Sequence, residues 1–284
     1  MYRAGLFAGQ VAIVTGGGSG IGRCTAHELA SLGAAVALIG RTREKLERVC
    51  AEIAQAGGSA SAHVCDIREE EAVKRAVADV LARHGRIDAL VNNAGGQFPA
   101  PLASISAKGW DTVVRNNLTG GFLMARECYT QWMAEHAAGC AIVNIIADMW
   151  LGMPGMGHSG AARAGMLNFS ETAALEWAPV RVNAVAPGWI ASSGMDHYGP
   201  EMRARIRGLH QHVPLGRLGT ESEVSEAIVF LLSPAAAFVS GSCLRVDGAA
   251  PNARRSSPLA GNGANQPFNG FLLAQRPKVL DEGD

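Results

Sequence analysis

Between Val11 and Leu29 the chain reads VAIVTGGGSGIGRCTAHEL. An apolar run leads into a loop in which five of the seven residues from Gly16 to Gly22 are glycine, and a helical pattern follows. No other segment restricts the fold as strongly. Glycines let the backbone turn sharply and let a pyrophosphate approach with no Cβ in the way. The helix behind them offers unpaired N–H groups and a partial positive charge. A strand, a glycine loop and a helix in that order make a nucleotide phosphate site, whereas a glycine loop without those neighbours is an ordinary turn. Gly16, Ser19, Gly20, Ile21 and Gly22 are therefore expected to hold the phosphates of a cofactor.

The rest of the chain extends this unit. Apolar runs at 10–15, 34–40, 60–65, 87–92, 140–146, 180–186 and 242–247 alternate with helical patterns at 20–32, 42–56, 69–84, 107–138, 159–177 and 221–232. Such alternation implies a parallel sheet with helices on both faces. Strands that are apolar throughout are those buried on both sides. The fold expected over residues 1–248 is α/β: a single Rossmann-type, doubly wound parallel sheet of seven strands. Residues 188–215, with Gly, Pro and charges after the sixth run, have the composition of a lid at the C-terminal edge of the sheet. Residues 249–284 read as an irregular tail. It holds one apolar island, Phe268 to Leu273, expected to dock on the same chain or on a neighbouring subunit.

Composition removes several classes of function. With 25 basic and 25 acidic residues the formal charge is zero, so no nucleic-acid or membrane surface is expected. No apolar run approaches the ~20 residues of a membrane span. The opening segment MYRAGLFAGQ has no apolar core of a signal peptide, and a cytoplasmic protein is expected. The six cysteines are scattered without a C-x-x-C, which reads as reduced packing thiols and neither disulfides nor a metal site.

Cofactor choice is read at the end of the second strand, where a carboxylate would accept from the adenosine ribose and repel a 2′-phosphate. Here Gly40 is followed by Arg41, with Arg43 and Lys45 close behind. Arginine suits a phosphate, so NADP(H) is favoured. The plainer alternative is that these residues are the solvated first turn of a helix.

Thr15 to Gly22, Asn92-Asn93-Ala94-Gly95, Asn117-Leu118-Thr119-Gly120, Pro187-Gly188 and Val246-Asp247-Gly248 together resemble the short-chain dehydrogenase/reductase family over residues 10–248. The resemblance implies that Asp66 and Ile67 flank the adenine. It implies that Asn93, Ala94 and Gly95 line the cofactor, and that Pro187, Gly188 and Ile190 cover the nicotinamide. It also implies a homotetramer or homodimer.

The catalytic segment departs from the family pattern. That pattern has a tyrosine four residues before a lysine, but His158 to Gly165 reads HSGAARAG. Ser159 stands in the tyrosine slot and Arg163 in the lysine slot. Arg163 is suited to anchoring the ribose and not to titrating, because a guanidinium stays protonated. The family's serine is replaced around Asn144 to Asp148, and only Asn117 is kept.

The unusual helix start, with Gly95-Gly96-Gln97-Phe98 and Lys108-Gly109-Trp110, is similar to the branch of peroxisomal trans-2-enoyl-CoA reductases and 2,4-dienoyl-CoA reductases and their bacterial relatives. The resemblance implies reduction of the C=C bond of an enoyl-CoA. Charge then collects on the thioester oxygen, which needs hydrogen-bond donors and no strong acid. Ser159 and Asn117 are the candidates to polarise that carbonyl, directly or through water. Asp148, among apolar neighbours at a strand edge, is the candidate proton source, with a solvated strand end as its plain alternative. His158 at a helix start and Tyr198 on the lid are read first as structural. Two alternatives stay open: a dehydrogenase of branched terpenoid alcohols such as citronellol, and an NADP-binding protein that lost its chemistry.

Overall fold

Every residue of the first strand, β1 (Val11–Thr15), is buried. Val11 and Ile13 enter one apolar cluster, while Ala12 and Val14 enter another on the opposite face. A strand covered on both sides must be apolar at successive positions, which explains the uninterrupted run in the sequence. The computed structural model describes residues 2–252 and 265–281.

From β1 the chain continues through α1 (Gly20–Ser31), β2 (Ala35–Gly40), α2 (Arg43–Gln55), β3 (Ser59–Val64), α3 (Glu70–His84) and β4 (Ala89–Asn92). Next come α4 (Ala107–Val114), α5 (Gly120–Cys128), β5 (Ala141–Ile145), α6 (Gly157–Glu176) and β6 (Arg181–Pro187). The lid region holds β7 (Ile190–Ala191) and α7 (Pro200–Gly208); β8 (Gly219–Thr220), α8 (Glu221–Leu232) and β9 (Cys243–Val246) complete the domain. Seven strands form one parallel sheet in the order β3-β2-β1-β4-β5-β6-β9. The order reverses between β1 and β4, so the loops leaving those two strands part and open a crevice at the C-terminal edge. The expected doubly wound α/β sheet is therefore present, with α1, α2 and α8 supplying one apolar cluster and α3, α5 and α6 the other.

Two local expectations are corrected. The single helix expected at 107–138 is broken by wide turns at Arg115–Thr119 and Tyr129–Met133, where i→i+5 bonds replace i→i+4. The lid gains an unexpected two-stranded ribbon, β7 paired with β8.

Helix ends are treated unequally. Thr220 and Glu223 close a reciprocal capping box on α8. At α1 the N-cap Ser19 makes no side-chain cap bond, so the N–H groups behind the glycine loop are not capped from within the chain.

Of the tail, 253–264 and 282–284 lie outside the described residues. Over 265–281 the backbone is irregular apart from one short turn at Lys278–Leu280. The apolar island docks on its own chain through Phe271, which is 6% exposed and sits against Arg23 and His27 of α1. Burying such a ring stabilises by roughly 1.5–3 kcal/mol. All six cysteines are free thiols, and burial pushes Cys65, Cys140 and Cys243 up to about 11. Among the described residues no helix is long and apolar enough to cross a membrane.

Candidate active site

The glycine loop is shaped by what stands behind it. Gly16 has φ +67°, and a Cβ there would lie 2.8 Å from Asn93 Nδ2 and 3.0 Å from Ala94 Cα. A Cβ on Gly22 would meet Gly16 O at 2.5 Å, so loop and helix touch backbone to backbone. Thr15 Oγ1 accepts from the N–H groups of Asn93 (3.0 Å) and Ala94 (2.9 Å), and Asn93 Nδ2 donates to Thr15 O at 2.9 Å. Asn93 thus braces the loop with its side chain.

One cavity of about 290 Å³ runs from this loop across the crevice. Gly16, Ser19 and Ile21 form its floor, Arg41, Asp66 and Ile67 one end, and Asn93, Ala94 and Gly95 the other. Nine of the expected cofactor residues are therefore brought together. Gly20 (φ +56°) and Gly22 shape the loop without lining the cavity. Pro187, Gly188, Ile190 and Arg163 do not line it either. Gly188 packs against Asp247, where a Cβ would stand 2.8 Å from its Cα, and Ile190 turns into the core. The cavity also reaches Asn116, on a wide helical turn, and Ser192 on the lid, which no sequence pattern had marked as cofactor residues.

The end of the cavity at Asp66 and Ile67 carries positive charge. Arg41 and Lys45 line it, whereas Arg43 points along α2 to Glu47 at 3.4 Å. The acid at this end, Asp66, is engaged by Arg68 at 2.9 and 2.5 Å. That guanidinium holds the Asp66 carboxyl below its usual range, with Arg41 adding to the effect.

Ser159, Asn117 and Arg163 converge on three consecutive residues of the loop after β4. Ser159 and Arg163 stand one turn apart on α6 and so share a face. Ser159 is fully buried and its hydroxyl donates to Gln97 Oε1 at 2.5 Å. Asn117 Oδ1 accepts from Gly96 N–H at 3.1 Å, while its Nδ2 donates to Gly96 O at 2.7 Å and Val113 O at 3.0 Å. Arg163 donates to Ile145 O at 2.5 Å, and its Nη2 presses on Gly95, which has no room for a Cβ.

Asn117, expected to polarise a substrate carbonyl directly or through water, is held by its bonds to Gly96 and Val113. Both ends of its amide are taken by backbone groups, so it positions the 95–97 loop. The Arg163 Nε is buried without a partner, and burial of the guanidinium lowers its pKa to about 10, leaving it charged at neutral pH. Gln97, the partner of Ser159, is a residue the sequence pattern did not single out as a site residue. A polar side chain in a loop carries no periodic signal, and only its bond to Ser159 reveals it.

Asp148 stands beyond the end of β5, on the side of β6 and β9. Its charged neighbours are Asp247 and Arg245 at the end of β9, and its own N–H reaches Pro187 O at 3.3 Å. Burial first, and Asp247 second, raise its pKa, the direction expected of a proton donor. His158 is fully buried edge-on to Phe98, with ring centroids 4.6 Å apart. Tyr198 packs into the lid cluster with Met195, Ile206 and Val279.

Comparison with known proteins adds the following. The family model described as Enoyl-(Acyl carrier protein) reductase matches residues 16–249. A peroxisomal 2,4-dienoyl-CoA reductase [(3E)-enoyl-CoA-producing] of Danio rerio is 35% identical over 255 residues, covering 88% of this chain and 84% of its own. Among solved structures, the citronellol catabolism dehydrogenase (AtuB) of Pseudomonas aeruginosa PAO1 is 63% identical with a TM-score of 0.79, over 88% of this chain and 98% of that one. A short chain dehydrogenase of Bacillus anthracis is 36% identical with a TM-score of 0.78, over 88% and 99% of the two chains.

Proposed function

We infer the function from one premise: this chain belongs to the short-chain dehydrogenase/reductase family, whose members use a nicotinamide cofactor. It is an oxidoreductase. Our reading is that it uses NADP(H) to reduce the C=C bond of an enoyl thioester, with an acyl-CoA as substrate class. One observation carries this. The slot of the family's tyrosine holds Ser159, whose proton is committed to Gln97. The three tyrosines stand elsewhere: Tyr2 bonds Glu226 O, Tyr129 stacks on Trp177 and Tyr198 packs in the lid. A site arranged in this way can stabilise an oxyanion but has no phenol to protonate an alkoxide.

The residues present fit the cofactor, because the loop from Gly16 to Gly22 forms a cradle that Cβ atoms would fill, in front of an uncapped helix end. When bound, the nicotinamide supplies or accepts a hydride. In this reading the loop and the α1 N-terminus hold the phosphates, Arg41 and Lys45 the 2′-phosphate, and Arg163 the ribose hydroxyls through donors the protein leaves unused. Since the Ser159 hydroxyl donates to Gln97 Oε1, the Gln97 Nε2 group keeps its N–H bonds for the thioester oxygen. Neither group gives up a proton, which suits a reaction in which charge collects on that oxygen and C2 is protonated separately. Asp148, or a water it orders, is the assigned source of that proton.

A second reading has an observation of its own. The 63% identity to a citronellol catabolism dehydrogenase favours oxidation of a branched terpenoid alcohol. Assays of trans-2-enoyl-CoAs, citronellol and citronellal with NADP(H) and NAD(H) separate the two. The first reading expects enoyl-CoA turnover with NADPH, reduced at least tenfold in Gln97→Leu. Turnover of the alcohol–aldehyde pair alone would install the second reading. Cofactor binding with no turnover on any of them would leave a binding protein.

A further inference from the structure

The tail touches the domain at two separated places. At the first, Phe271 is buried against Arg23 and His27 of α1, and its N–H donates to Ser222 Oγ at 2.9 Å. Around it, Arg23 Nη1 donates to Leu273 O at 3.1 Å, Phe268 N–H to Glu223 Oε1 at 3.1 Å, and Thr220 Oγ1 to Phe268 O at 2.7 Å. These partners sit on α1 and at the start of α8, beside the glycine loop. At the second place, the N–H groups of Lys278 and Val279 donate to the two Asp196 carboxylate oxygens, at 3.2 and 3.0 Å. Val279 is fully buried between Met195 and Ile206 of the lid.

Between the two anchors the segment arches over a cavity of about 1040 Å³ that the lid and the α8 start also line. The chain is thus pinned at both ends. Asp196 lies four residues beyond Ser192, which lines the cofactor cavity. The first anchor grips α1, whose N-terminus faces that cavity from the other side.

We propose that residues 265–281 form a strap that ties the lid to the α1–α8 face and gates exchange of the nicotinamide cofactor. With both anchors made, Ser192 is held over the crevice. When the Asp196 anchor opens, the lid is freed to swing on its remaining ties, the β7–β8 ribbon and the packing of Ile190, Val213 and Leu215. Lids of this kind commonly set the rate of release. The inference rests on the cofactor reading above only for the ligand used as probe.

The test uses the full chain, with Asp196→Ala at one anchor and Phe271→Ala at the other. Dissociation of NADPH or NADH, whichever the wild type binds more tightly, is followed by stopped-flow fluorescence, and hydrogen exchange reports docking of 265–281. Two lost bonds to a carboxylate should raise the off-rate roughly fivefold or more. The double variant should be no faster than the faster single one, because both act through one device. Wild-type preference for NADH would defeat the NADP(H) reading and leave the strap intact. A detached strap with an unchanged off-rate would overturn the proposal. So would a strap that stays docked in both variants, since the anchors named would then not be its anchors.

Discussion

Glu221 is predicted to make cofactor affinity depend on pH, and Glu221→Gln to remove that dependence. Glu221 opens α8 and is 7% exposed; its Oε1 lies 3.7 Å from the Cβ position of Gly20, at the N-terminus of α1. Burial pushes its pKa up to about 7, with Arg23 of α1 pulling the other way. Arg207, His210, Arg217 and Arg276 line the cavity on its far side, Arg217 being paired to Glu223 at 2.6 Å.

An anion bound at the same helix end would stand on the order of 7 Å away, where like unit charges repel by about 2 kcal/mol at an effective dielectric near 20. That is more than one pKa unit. The carboxyl should therefore take up a proton when the cofactor binds. The complex then holds more protons than the free protein, and affinity falls as pH rises from about 7. Between pH 7 and 8.5, where the 2′-phosphate is already ionised (second pKa about 6), the Kd for NADPH should rise roughly tenfold. Titration calorimetry in buffers of different ionisation enthalpy measures both the Kd and the proton uptake. Equal slopes in wild type and Glu221→Gln, with no proton taken up by either, would refute the reasoning.

Four further outcomes are expected. Arg41→Asp should reverse a preference for NADP(H) over NAD(H) that is at least tenfold in the wild type, about 1.4 kcal/mol; equal wild-type affinities would reject the Arg41 assignment. Arg163→Lys should keep substantial activity while Arg163→Ala weakens cofactor binding and turnover together, read by calorimetry and steady-state rates. Asp148→Asn should lower kcat at least tenfold, as loss of general acid help does, and should remove an ionisation from the pH profile; an unchanged profile would pass the proton to water. The Glu28 carboxyl, half-buried and accepting from Ser225, is raised by desolvation to about 8 from 4.5, so the folded protein holds the extra proton. Stability present below pH 4.5 is therefore lost as pH rises through 8, by roughly 3–4 kcal/mol between pH 5 and 8, and denaturation of Glu28→Gln should show no such loss.

The sheet was legible because its strands are buried on both faces. Val11 to Val14 has no polar position to blur the run, and the glycine loop marks where the cofactor cavity begins. Contacts made across long separations were not legible. Asn117 and Gly96 are 21 residues apart, Ser159 and Gln97 are 62 apart, and no spacing in the chain announces either bond. The wide turns at 115–119 and 129–133 hid inside a helical period that they alter by one residue each. The charged neighbours of Asp148 could not be read from its place after the fifth strand. Its electrostatic partners come instead from β9, a strand that pairs with β6 and not with β5.

Arg163 carries a consequence for anyone who would evolve or engineer this fold. Its guanidinium is enclosed without a counter-charge and with an unbonded Nε, an arrangement that costs several kcal/mol. A neutral residue of similar bulk, such as methionine, should raise the melting temperature of the ligand-free protein while leaving it idle. Screens that reward heat resistance alone will therefore discard this position early. A variant library built for durability has to keep a cation at residue 163, or it will accumulate well-folded proteins that no longer turn over.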